Sequence, residues 1–255
     1  MKQAVNSSLG KNHIGLYHCP EAILIDTAFF RSLPRMEISS ALTELVKNAM
    51  ILGGECLEVF HAVDPFSEVA LNRLLLNGIS AKAKYLAIDP HEQKEALIFE
   101  YGHTVGHAVE ASGLGFAHGH AIGIGMLVAA RIAIQRGWLA HREYEVHRHL
   151  LALVGAPTKF PIQLPAQAVA NRCMLDNKRG RVPHSNAIPM VLLKKLGVPS
   201  DTAGVPLSPV RMEDILAAIE AEQTMADVAR ESFVTKAIRN LRKIRKSDDQ
   251  IYPIY

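Results

Sequence analysis

The chain is poor in cysteine. Only Cys19, Cys56 and Cys173 occur, far apart in its 255 residues. An odd count without metal-ligand spacing argues against a disulfide framework or a thiolate zinc site, and points to a reducing, cytoplasmic setting. Long apolar runs are also missing. The longest, residues 121–134, is interrupted by Arg131 and falls short of the roughly 20 residues a membrane span needs. The opening MKQAVNSSLGKN lacks the apolar core of a secretion signal. Charge of one sign is scarce too. A formal net charge of +3 is too weak to argue for nucleic acid and suits small anionic substrates such as phosphates equally well. There are no internal repeats, no low-complexity segments and no glycine-rich dinucleotide fingerprint.

What is present is enough apolar content, 49% against 21% charged, to bury a real core. Residues 22–25, between Pro20 and Asp26, read as a short buried strand. From Met36 the pattern turns helical. Ser39 and Ser40 are placed to cap a helix through Leu42, Leu45, Val46 and Ala49 that ends at Gly53-Gly54. Further helices are expected over 71–84, 97–111, 121–136 and 210–222. The 121–136 helix is apolar nearly all round and belongs at the centre of a helical domain. Prolines at 183, 189 and 199 punctuate a stretch in which 188–193 reads as a strand of a small hairpin. The tail carries a basic run, 239–246, read as a solvated helix face or frayed end.

The chemistry concentrates in FEYGHTVGHAVEASGLGFAHGHA. On one continuous helix, Glu100, His103, His107 and Glu110 would line a single stripe, because residues three, four and seven apart share a face. Two imidazoles beside two carboxylates need a metal, a substrate or a partner to satisfy them. Gly102 and Gly106 sit off that stripe and would let another backbone pack closely. His118 follows a glycine-containing turn and can swing back to the same place. Two neutral imidazoles and a carboxylate with an open position make a common catalytic zinc arrangement. The pattern alone does not fix the carboxylate. Glu44, with Lys47 three residues on, is one candidate, and His120 rivals His118.

These residues resemble a family. GHTVGHAVEA followed by HG and an apolar helix is similar to the sugar phosphate cyclases of the dehydroquinate synthase superfamily. KQAVNSSLGKNHIGLYHCP, LIDT, LP before Met36, ELVKN and DNKRG fall in the family's order, so the likeness runs from residue 2 to about 216. The resemblance implies a mainly α fold: the helical metal-binding domain of the dehydroquinate synthase-like fold over 36–222. A short α/β remnant of a nucleotide-binding domain would occupy 1–35, a small hairpin would lie near 182–195, and a basic tail would fill 223–255. It also implies metal ligands at Glu44, His103 and His118, with zinc or cobalt as the ion. His107 falls on the family's proton-transfer and phosphate-contact histidine. Lys47, Lys82 and Lys178 fall on its substrate-side lysines. Lys2, Lys11 and Asn12 fall where the family contacts NAD and substrate, with Lys2 also counted among the catalytic residues.

Two positions separate branches of the family. Dehydroquinate synthases usually carry Asn three residues before the first metal histidine and Arg seven before it, the latter suited to a substrate carboxylate. Here those positions are Glu100 and Ala96. Loss of the arginine fits a substrate without a carboxylate, such as glucose 6-phosphate, and Glu100 becomes the expected acid–base catalyst. A dehydroquinate synthase, a non-catalytic metal-binding subunit, and a metal-dependent alcohol dehydrogenase of related architecture are the competing readings. Relatives place an α/β NAD-binding domain ahead of KQAVN, whereas this sequence begins at Met1-Lys2. The expectation is a partial sequence, an upstream chain or partner that supplies the NAD domain, or a degenerate remnant, and by analogy with relatives a homodimer. Where the family usually has Glu after His-Gly, this chain has His120, which is expected to weaken or retune the metal.

Overall fold

The computed structural model describes residues 2–7, 10–61, 64–176 and 187–224. The order begins with an antiparallel pair, β1 (Lys2–Ser7) and β2 (Gly10–Tyr17), in which Lys2 pairs with Tyr17 and Val5 with Ile14. Next come a 3-10 turn over Thr27–Ser32 and then α1 (Arg35–Leu52), α2 (Gly54–Glu58) and α3 (Glu68–Ile88). A 3-10 stretch, Glu95–Glu100, leads into α4 (His103–Glu110). Helices α5 (His118–Gln135), α6 (His141–Leu153) and α7 (Ala166–Cys173) follow. Four short strands, β3 (Ile188–Met190), β4 (Leu193–Lys195), β5 (Val198–Pro199) and β6 (Ser208–Val210), precede α8 (Met212–Thr224). The fold is mainly helical with few strands, as the sequence implied. No described helix is long and apolar enough to cross a membrane.

Helix α5 is the axis of the domain. Residues from Ala121 through Ala130 are fully buried, and α1, α4, α6 and α8 pack around them. Burial of each large aliphatic side chain there is worth about 1.5–3 kcal/mol. Arg131, which interrupts the apolar run, turns toward α8. Its Nε donates to Glu222 at 2.7 Å, the Tyr144 hydroxyl donates to the same carboxylate at 2.7 Å, and the guanidinium lies 4.4 Å from the Tyr144 ring centre. Glu222 is only 2% exposed, so this network holds α5, α6 and α8 together by charges that water cannot screen.

Helices α4 and α5 approach almost backbone to backbone. A Cβ on Gly125 would overlap the Gly102 carbonyl oxygen, and one on Gly106 would lie 2.9 Å from Ile122 Cα. The close packing expected of Gly102 and Gly106 is therefore present, with α5 as the partner.

Several expectations need correction. Residues 22–25 are not a buried strand: they form no strand, and Ile23 and Leu24 are 74% and 95% exposed. The apolar residues are there, but no strand among the described residues pairs with them. Ser39 and Ser40 do not cap α1, because the helix already starts after Pro34, whose carbonyl accepts from Glu37 and Ile38. Both serines are buried mid-helix instead. The 97–111 helix is broken, since Gly102 at φ +78° turns the chain between the 3-10 stretch and α4. Strand 188–190 pairs with 208–210, and the tight hairpin is 193–199. Most of the proposed tail, 223–255, lies outside the described residues.

Glu222→Ala removes the carboxylate that pairs with Arg131 and accepts from the Tyr144 hydroxyl. We expect a loss of about 3–5 kcal/mol in urea unfolding. Pairing it with Arg131→Met should recover part of that loss, because the unpaired charge is then gone.

Candidate metal centre

Three helices deliver the cluster. Glu44 lies in the middle of α1, His103 is the first residue of α4, and His118 is the first residue of α5. The left-handed Gly102 allows α4 to start where it does. Gly113 and Gly115, at φ +81° and +74°, form the turn that returns His118 to the side of α4. The start of α5 is clamped to α1: the Gly119 amide donates to Ser40 Oγ at 2.9 Å.

One carboxylate oxygen, Glu44 Oε1, is buried without a hydrogen-bond partner, the only such side-chain atom among the described residues. It lies 4.0 Å from His103 Nε2 and 4.0 Å from His118 Nε2. That is too long for a hydrogen bond. Two donors that each reach a single ion over about 2.1 Å stand roughly 3–4 Å apart, so the spacing suits metal ligation. The remaining contacts aim these atoms inward. His103 Nδ1 lies 3.1 Å from the Tyr101 carbonyl oxygen, which can only accept, so Nδ1 carries the proton and Nε2 presents its lone pair. His118 Nδ1 lies 3.0 Å from Glu110 Oε2, and the same reasoning turns its Nε2 toward Glu44. A metal-ligating histidine tied to a carboxylate behind it is a recurrent arrangement. These residues fit a divalent ion.

The charge states agree. Burial opposes ionisation of Glu44, but the Lys47 ammonium, His103 and His118 outweigh it and hold the carboxyl down at about 2. Lys47 is 4% exposed and donates to Glu44 Oε2 at 2.6 Å. Burial, reinforced by the Lys47 charge, pushes His103 down to about 3 against the pull of Glu100 and Glu44. At neutral pH Glu44 is ionised and His103 is neutral, as a metal ligand must be.

The other sequence candidates fall around this point. His107 packs against both candidate ligand histidines, with ring centres 5.2 Å from His103 and 5.9 Å from His118. With Glu110 and His118 it makes a second grouping of donor atoms, all within 4.8 Å. Glu100 ends the 3-10 stretch and so is not on the α4 stripe, yet its charge acts on His103. Lys82 on α3 sits 5.5 Å from the centre of the Phe99 ring, one residue before Glu100. His120 does not compete with His118: its Nε2 is 2.7 Å from Ser39 Oγ, which donates to Val154 O at 2.6 Å. Lys2 lies on β1 and Lys11 and Asn12 on β2, but their side chains, and all of Lys178, lie outside the described residues. Sequence reasoning missed the orienting role of Glu110 and the pairing of Tyr101 with His147. Glu110 had been noted as a charge needing a partner, and its eight-residue distance from His118 across a glycine turn was the available signal.

A helical domain with a two-histidine, one-carboxylate cluster at the mouths of α4 and α5 belongs to a recognisable class. Residues 41–179 match the family described as 3-dehydroquinate synthase C-terminal, and residues 1–40 match 3-dehydroquinate synthase N-terminal. The chain belongs to the 3-dehydroquinate synthase family. Within it, the chain is similar to proteins named 2-deoxy-scyllo-inosose synthase. It is 39% identical to one from Streptomyces kanamyceticus over 77% of this chain and 52% of that protein. It is 38% identical to one from Streptoalloteichus tenebrarius over 82% of this chain and 56% of that protein. A crystal structure of 2-deoxy-scyllo-inosose synthase complexed with carbaglucose-6-phosphate, NAD+ and Co2+ superposes with a TM-score of 0.78 at 34% identity, covering 87% of this chain and 62% of that one. The chain thus spans about half the length of the curated relatives it matches.

Substituting Glu110 by Gln keeps the shape of the cluster but removes the charged acceptor behind His118. Isothermal titration with Co2+ should show affinity lower by about 10–100-fold. Glu44→Gln should abolish binding.

Proposed function

We propose that this chain is the metal and substrate half of a 2-deoxy-scyllo-inosose synthase, a carbon–oxygen lyase. Such an enzyme converts D-glucose 6-phosphate to 2-deoxy-scyllo-inosose and phosphate, a step in the biosynthesis of 2-deoxystreptamine aminoglycoside antibiotics. The observation that carries this reading is the buried Glu44 oxygen, without a hydrogen-bond partner, facing two histidine nitrogens, in a family member similar to proteins of that name. When bound, a divalent Zn or Co ion supplies Lewis acidity toward sugar hydroxyls, and NAD supplies reversible oxidation of one carbon.

The chain's own residues would do the rest. Glu44, His103 and His118 hold the ion, with Glu110 fixing the face that His118 offers. Glu100 moves the proton at the carbon beside the transient ketone, so that phosphate can leave from the adjacent position. His107 contacts the phosphate and passes a proton as it departs. Lys47, Lys82 and Lys178 supply positive charge to the sugar phosphate, with Lys47 also keeping Glu44 ionised. Lys2, Lys11 and Asn12 reach the cofactor from the β1–β2 pair. Among the described residues no strand–helix unit offers a glycine-rich turn for a dinucleotide pyrophosphate. The main hold on NAD would therefore come from an N-terminal α/β domain outside them, supplied in the same polypeptide or by a partner, with 1–35 as its boundary and 36–222 as the metal domain.

The dehydroquinate synthase reading is disfavoured by Ala96. It is 1% exposed and its amide donates to Asp89 Oδ2 at 3.1 Å, so the position offers no cation for a substrate carboxylate. To test the proposal, the chain would be joined to the N-terminal half of a relative and supplied with NAD and Co2+. Phosphate release should occur with glucose 6-phosphate and not with the dehydroquinate synthase substrate, and the opposite preference would overturn the assignment. In that protein Glu100→Gln should lower kcat by about 10²–10⁴ while Co2+ affinity stays within a few-fold.

A further inference from the structure

We infer that the buried Tyr101–His147 pair is a positioning device for the metal ligand His103, a role that rests on the metal-centre reading above. Tyr101 and His147 are both 0% exposed. His147 comes from α6, an element that contributes nothing to the ligand set. Its Nδ1 lies 2.8 Å from the Glu143 carbonyl oxygen, so that nitrogen must carry the proton. Its Nε2 is then a bare acceptor, and the Tyr101 hydroxyl, 3.0 Å away, donates to it, with the Met126 carbonyl oxygen a longer second acceptor at 3.5 Å. The ring of Tyr101 is pinned at its far end in a fully buried place.

The near end of Tyr101 does the positioning. Its amide donates to Ile98 O at 3.2 Å and closes the 3-10 turn. Its carbonyl is the acceptor for His103 Nδ1–H. The next residue, Gly102, is the hinge at which α4 begins, and its carbonyl is pressed against Gly125. One polar chain thus runs from the α6 backbone through His147 and Tyr101 to His103, and fixes both the tautomer and the tilt of that ligand. The same anchor sets the peptide that follows Glu100. Packing alone needs no hydroxyl at the tip of this ring. A phenylalanine would fill the space and would leave the His147 acceptor unsatisfied.

The test uses the full chain and Co2+ itself, with affinity by titration and geometry by the visible d–d absorption of the bound ion. The wild type should bind one Co2+ with a defined spectrum. Tyr101→Phe should weaken binding by about 10-fold or more and shift the spectrum. His147→Gln, which can still accept from the hydroxyl, should restore most of the affinity relative to His147→Leu. Ser200→Ala removes a buried hydroxyl that bonds Ser208 at 2.6 Å, away from the ligands, and should lower stability without moving the spectrum. If Tyr101→Phe folds poorly, the double variant Tyr101→Phe/His147→Leu removes donor and acceptor together and should show the same spectral shift. A wild-type spectrum and affinity in either Tyr101 variant overturns the positioning role while leaving the metal centre intact. Absence of Co2+ uptake by the wild type overturns the metal centre, and this inference with it.

Discussion

Everything at the candidate site depends on how closely α4 and α5 approach. Gly102, Gly106 and Gly125 let the two backbones touch, and that contact places His103 and His118, first residues of their helices, on either side of Glu44. Larger residues at these positions would separate the helices, and the two imidazoles would no longer share one carboxylate oxygen. The buried axis of α5 then transmits the constraint outward, to α1 through Ser40 and Gly119 and to α8 through Arg131 and Glu222.

The electrostatics follow from this packing. Burial by itself pushes the Glu44 carboxyl up. The Lys47 ammonium, itself unable to reach bulk water, opposes that and at the same time discourages protonation of His103. One lysine therefore favours the charged carboxylate and adds to burial in keeping the imidazole neutral. Lys47 was expected to serve the substrate, and its position gives it this second task without excluding the first.

The elements with strong periodicity were legible in the sequence. The all-round apolar run around 121–134 became the central helix, and the histidine-rich segment became the rim of the cluster. The Ser39 and Ser40 side chains were misread because their partners, Val154 and Gly119, are remote in sequence. The break at Gly102 was missed because Glu100, His103 and His107 keep helical spacing across it, and only the close approach of α5 shows why a left-handed residue is needed there. The exposed 22–25 segment looks like a core strand by composition alone. The choice of Glu44 as the carboxylate came from family likeness. Local pattern could not have found a partner 59 positions upstream of His103.

The unpartnered Glu44 oxygen has a thermodynamic meaning beyond ligand geometry. A buried acceptor left unsatisfied costs about 1–3 kcal/mol, so an ion that Glu44 Oε1 accepts would add that much to the folded domain. Helices α1, α4 and α5 converge there, so such an ion would tie all three together at one point. An ion held there would act as a cross-link across the middle of the domain, and the stability of the folded state would rise with the concentration of that ion.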